Sequence, residues 1–129
     1  MDQPGWVVVF GKPPVAGRAK TRLGATIGGA AAAEVARALL VDTFAAVARL
    51  ELPMALATTD PGADHGLLPG SVQPWDQGGG DLGARVERML REALERGRFG
   101  LALGADAPHI PVAHLQQAVE AMEQADAAI

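Results

Sequence analysis

Apolar positions in this chain fall either in short unbroken runs or in longer stretches where they recur every three or four residues, the two spacings that separate buried strands from amphipathic helices. The first run, Trp6-Val-Val-Val-Phe10, is β-branched and aromatic, so it predicts a strand covered on both faces. Over residues 30–50, Val35, Leu39, Phe44, Val47 and Leu50 recur at helical spacing, with Glu34, Arg37, Asp42 and Arg49 on other faces. That pattern predicts a helix closed by Pro53, and Met54-Ala-Leu-Ala-Thr-Thr59 predicts a second strand. Ser71-Val-Gln-Pro-Trp75 predicts a short third strand at a sheet edge, because Pro74 lacks the amide hydrogen that a central strand requires. Leu82, Val86, Met89, Leu90, Ala93 and Leu94 mark the apolar face of a second helix ended by Gly97, and Phe99-Gly-Leu-Ala-Leu-Gly104 predicts a fourth strand. Val112, Leu115, Val119 and Met122 mark a last helix with Pro111 in its first turn, and Ala127-Ala-Ile129 reads as the start of another strand.

Strands that alternate with helices imply an α/β protein: a three-layer αβα, Rossmann-like fold whose parallel sheet is wound with right-handed crossovers. In such sheets ligands gather beyond the carboxyl ends of the strands, where the direction of winding reverses. With the strand order 3-2-1-4, the first and fourth strands are neighbours at that point. The loop after Phe10 would then face the residues that follow the fourth strand.

A length of 129 residues suits a single domain over 1–129, and a hydrophobic share of 49% excludes the disordered class. With no cysteine, disulfides and thiolate metal sites are excluded. No basic segment followed by an apolar one stands near Met1, and the alanine-rich stretch from Ala30 is interrupted by Glu34, Arg37 and Asp42. The expectation is therefore a cytoplasmic protein with no membrane association.

The formal charge of −4 gives meaning to the loop after Phe10, where Lys12, Arg18, Lys20 and Arg22 cluster around Pro13-Pro14 and Gly17. Lys12 and Lys20 are the only lysines in the chain. A local cationic loop on an acidic protein points to a small anion such as phosphate, and away from nucleic acid. The plain alternative is a loop charged because it is solvated. Lys20 does not directly follow the second glycine, so the loop is not a Walker A motif. Gln77-Gly-Gly-Gly-Asp-Leu-Gly83 formally contains G-x-G-x-x-G, yet it follows a short edge strand instead of the first central one. It reads as a flexible loop, with Asp81 as the N-cap of the next helix. Asp106 follows the fourth strand and offers either a hard oxygen ligand for a metal-bridged phosphate ester or a turn cap before Pro108. His65 and His109 read as loop residues and His114 as surface; none has a nucleophile at suggestive spacing, so serine or cysteine hydrolase chemistry has no support.

Taken together, Phe10-Gly-Lys-Pro-Pro-Val-Ala-Gly-Arg-Ala-Lys-Thr-Arg-Leu23, Gln77-Gly-Gly-Gly-Asp-Leu-Gly83 and Gly104-Ala-Asp-Ala-Pro-His-Ile110 resemble three successive motifs of a bacterial glycosyltransferase family. Its members have a nucleotide-diphospho-sugar transferase (GT-A-like) fold, and some are of the radical-SAM-partnered or arsenosugar-biosynthesis type. The resemblance implies a nucleotide- and phosphate-binding set of Gly11, Lys12, Arg18, Lys20, Thr21 and Arg22, with Gln77, Gly80 and Asp81 in the site wall. It also implies Asp106 as the ligand of Mg2+ or Mn2+, and a nucleotide sugar as the substrate. A similar lysine-threonine-arginine loop occurs in 2-phospho-L-lactate guanylyltransferase. This keeps nucleotidyl transfer from a nucleoside triphosphate as an alternative, alongside a non-catalytic nucleotide-binding or scaffold domain.

Two departures stand out. Relatives often carry threonine or serine where this chain has Ala105, and an acid or threonine where it has His109. They also continue into an Asp-Gly-Gly-Tyr segment and an acceptor-binding half, so the expectation is the N-terminal, nucleotide-binding half alone. An open sheet edge at Ile129 would favour pairing with another chain, and hence a homo-oligomer.

Overall fold

The computed structural model describes residues 4–11, 28–62, 72–104 and 112–122. Four strands, β1 (Trp6–Phe10), β2 (Met54–Thr58), β3 (Gln73–Asp76) and β4 (Gly100–Gly104), form one parallel sheet in the order β3-β2-β1-β4. Three helices accompany them: α1 (Gly29–Ala48), α2 (Leu82–Arg96) and α3 (Val112–Met122). The Pro74-containing strand lies at an edge, where its missing amide hydrogen costs no ladder bond.

Side chains alternate along a strand, so an unbroken apolar run must supply two cores. On one face Val7 and Val9, beside Met54 and Leu56 in register, meet Leu40, Phe44 and Val47 of α1. On the other, Val8, Ala55, Ala57 and Trp75 meet Met89 and Ala93 of α2. α3 touches α1 and so lies on the α1 side, which completes the three layers. Val7, Val8 and Val9 are wholly buried, each contributing about 1.5–3 kcal/mol of apolar burial.

The buried face of α1 differs from the stripe of large residues. It comprises Ala32, Ala33, Leu40, Thr43, Phe44 and Val47, whereas Val35 is exposed. Alanines occupy the first turns of the sheet-facing stripe, so a pattern drawn through large side chains is rotated away from it. Thr43 is tolerated there because its hydroxyl donates to the Leu39 carbonyl at 2.7 Å. α1 ends with the amides of Arg49, Leu50 and Glu51 donating to Ala46, Val47 and Ala48. Glu51, at φ 57°, then turns the chain where a glycine would be usual.

The α2 stripe is also shorter than its sequence pattern. Met89 and Ala93 are buried, but Leu94 is 57% exposed, one position round the helix from Ala93, and Leu82 is 70% exposed. Near the end of α2, Arg96 lies over Trp75 at 4.9 Å and Trp6 at 5.9 Å, covering two indoles 5.1 Å apart. Among the described residues no helix is long and apolar enough to cross a membrane.

Candidate functional site

Parallel strands bring their carboxyl ends to one side, and here the chain leaves three of them in step. The Gly11 amide donates to the Ala57 carbonyl at 3.1 Å and the Gln77 amide to the Thr58 carbonyl at 2.9 Å, extending the ladders one residue past β1 and β3. Above these ends opens a cleft of about 310 Å³ lined by Phe10, Gly11, Thr59, Gln77, Gly80, Leu82 and Arg85. Ligand pockets run from about 300 to 1,000 Å³, so this cleft is at the small end of that range.

The far wall is the glycine loop and the start of α2. An Asp76 carboxylate oxygen accepts from the Gly78 amide at 2.9 Å, and Gly78 and Gly80 have φ of 74° and 98°. These are left-handed values that side chains with a Cβ rarely adopt. The bend turns its carbonyls towards two arginines: Arg88 donates to Gln77 and, at 2.9 Å, to Gly79, while the Arg85 Nε donates to Gly80 at 2.9 Å. Asp81 is the N-cap expected of it, its Oδ1 accepting from the Ala84 amide at 2.8 Å. The cleft wall thus passes from Gly80 to Leu82, and the intervening carboxylate serves the helix.

Gln77 is 7% exposed and bonded at both ends of its amide. Its Nε2 donates to the Ala57 carbonyl at 2.7 Å, and its Oε1 accepts from Arg85 NH1 at 3.2 Å. A flipped amide would set two donors against each other at Arg85 and two acceptors against each other at Ala57. The orientation is therefore fixed by its neighbours. Arg85, half-buried, finds its described partners in the Gly80 carbonyl and the Gln77 amide, whereas Arg91 and Arg96 pair with Glu87 and Glu92 at 2.8 Å.

Of the residues anticipated from sequence, Gly11, Gln77 and Gly80 meet in this cleft, with Asp81 beside it. Phe10, Thr59, Leu82 and Arg85 line it as well and were not anticipated. Phe10 and Leu82 looked like core, and Thr59 like the last residue of a strand. The signal for Arg85 was its position four residues after the cap, which stands it one helical turn above the loop. Lys12, Arg18, Lys20, Thr21, Arg22 and Asp106 lie outside the described residues, as do His65, His109, Pro111 and Ile129. His114 is on an exposed position of α3.

The described framework does fix where the two flanking segments begin. Phe10 and Gly104 are register partners, so the chain running on to Lys12 and the chain running on to Asp106 depart from adjacent strand ends. Among the described residues no three His, Asp or Glu side chains gather where they could hold a metal ion.

No curated protein matches the chain. A solved structure of a "putative nucleotide-diphospho-sugar transferase" from Desulfovibrio desulfuricans G20 is similar to it, with 26% identity and a TM-score of 0.76 over 92% of this chain and 54% of that one. The chain therefore spans about half the length of that protein. The architecture is a nucleotide-diphospho-sugar transferase-like fold. A family model described as "Uncharacterized protein conserved in bacteria (DUF2064)" matches residues 32–129, and the chain belongs to that bacterial family.

Proposed function

We propose that the chain binds a nucleotide-diphosphate sugar together with Mg2+ or Mn2+ and acts in transfer of the sugar to an acceptor. The observation that carries this reading is the sheet order. β1 and β4 are adjacent at the winding reversal, with Phe10 paired to Gly104, so the cationic segment and the Asp106 segment start side by side. The likeness to the Desulfovibrio protein supports the same substrate class.

In this reading Lys12, Arg18, Lys20 and Arg22 neutralise the diphosphate, Gly11 lets it approach the backbone, the Thr21 hydroxyl can donate to it, and Gln77 and Gly80 wall the adjoining cleft with Asp81 beside it. Asp106 supplies the hard carboxylate oxygen for the divalent ion, whose chemistry is to neutralise charge on the phosphate oxygens. Positive groups held ready before the bond breaks favour the charge that develops on the departing nucleoside diphosphate.

The test is calorimetric titration with sugar nucleotides and nucleoside triphosphates, with and without magnesium. Metal-dependent binding is expected, with Lys20→Ala weakening it roughly tenfold or more and Asp106→Asn abolishing the metal dependence. Unchanged affinity in both variants, or no metal-dependent binding at all, would overturn the reading. Product analysis decides the chemistry: nucleoside diphosphate released from a sugar nucleotide marks sugar transfer. Pyrophosphate released from a triphosphate marks nucleotidyl transfer instead, and tight binding without turnover marks a binding domain.

A further inference from the structure

Among the described residues the cleft is lined from one flank of the sheet: Gly11, Thr59 and Gln77 follow β1, β2 and β3, and none of the described lining residues comes from β4. If the metal-bound diphosphate lies between β1 and β4, as the proposed function has it, the cleft receives one end of the nucleotide sugar: the base or the sugar. Its chemistry favours the base. A hexose is covered with hydroxyls that each want a partner, whereas Phe10, Leu82, Gly11 and Gly80 offer apolar surface. Of the polar lining groups, Gln77 already uses both ends of its amide on Ala57 and Arg85. A planar ring between apolar walls suits this lining better.

Arg85 then sets which ring. Its Nε is committed to the Gly80 carbonyl at 2.9 Å and NH1 to the Gln77 Oε1 at 3.2 Å, so the guanidinium is clamped from two sides. Its second terminal nitrogen has no hydrogen-bond partner among the described residues, and an arginine can only donate. We propose that Arg85, held by Gln77 and Gly80, reads the base in this cleft and selects bases with a ring carbonyl over those with an amino group at the same place. Guanine and uracil carry an oxygen where adenine and cytosine carry an NH2. An amino group would set donor against donor in a partly desolvated cleft.

This inference rests on the nucleotide-binding reading, and the experiment separates their failures. The 129-residue chain is titrated with GDP, UDP, ADP and CDP in magnesium, alongside Arg85→Met and Arg85→Lys, with circular dichroism as the check on folding. GDP is expected to bind roughly tenfold or more tighter than ADP, and UDP tighter than CDP. In both variants the ranking should collapse while metal-dependent binding persists, since lysine keeps the charge but cannot keep the clamped fork. No binding of any nucleotide would sink the functional reading itself. Binding with no base ranking in the unaltered chain, or a ranking that survives Arg85→Met, would overturn the role of Arg85 alone. So would a uniform loss across the four nucleotides in Arg85→Met, which would mark a phosphate contact.

Discussion

Replacing Gln77 with alanine asks whether the cleft wall is built before any ligand arrives. The variant loses the Nε2 bond to the Ala57 carbonyl, a buried neutral bond of 2.7 Å worth about 1 kcal/mol net. It also loses the Oε1 contact with Arg85 at 3.2 Å, which is charge-assisted but half-exposed and so discounted to about 0.5 kcal/mol. Removing a buried methylene costs about 0.8 kcal/mol more, while releasing a long side chain from one rotamer returns about 1 kcal/mol. The Ala57 carbonyl is not orphaned, because the Gly11 amide still donates to it at 3.1 Å. The net loss should therefore be about 1–2 kcal/mol, and a domain of this length should melt about 3–8 °C lower. Urea denaturation followed by circular dichroism measures it, and repeating the change in an Arg85→Met background should shrink the loss by about 0.5 kcal/mol. A loss below about 0.5 kcal/mol, or one untouched by the Arg85 background, would refute the picture of a strut fixed at both ends.

Two further changes probe the chain ends of the helices. Asp81→Ala removes the acceptor for the Ala84 amide and should cost about 1 kcal/mol in the same denaturation assay, with Asp81→Asn costing much less; equal losses would show that charge, and not the cap bond, carries the effect. Glu51→Gly should instead raise stability by roughly 0.5–1 kcal/mol, since the left-handed penalty at φ 57° exceeds the added freedom of glycine in the unfolded chain; a lower melting temperature would refute it.

What could be read from the sequence divides by the range of the rule involved. The unbroken Val7-Val8-Val9 run required two cores and has them, and Pro74 required an edge and is at one. Asp81 before a helical stretch required a cap and makes one. Each of these follows from the residue and its immediate neighbours. The face of α1 did not, because Ala32 and Ala33 are buried while the larger Val35 is exposed, and side-chain size alone does not announce that rotation. Leu82 and Phe10 carry no local sign that they would stand at a cleft and not in a core. Charge on an amphipathic helix usually stands on the outer face, and only the turn of the preceding loop brings the cleft beneath Arg85.

That loop also shows why a glycine pattern by itself does not make a phosphate site. In a dinucleotide fold the glycines let backbone amides and a helix N-terminus face the pyrophosphate. Here the same spacing, Gly78, Gly80 and Gly83, turns carbonyls of Gln77, Gly79 and Gly80 towards Arg88 and Arg85. The Ala84 amide at the start of α2 is taken by Asp81, whose carboxylate would also repel an incoming phosphate. In the proposed function the anion is therefore assigned elsewhere, to the other concentration of cations in the sequence, the segment from Lys12 to Arg22, which starts from a strand end beside Gly104. On the proposed reading the two tasks divide: Arg85, held by Gly80 and Gln77, serves a neutral ring on the β2 flank of β1, and the lysine-bearing segment, which begins beside Gly104, serves the charge.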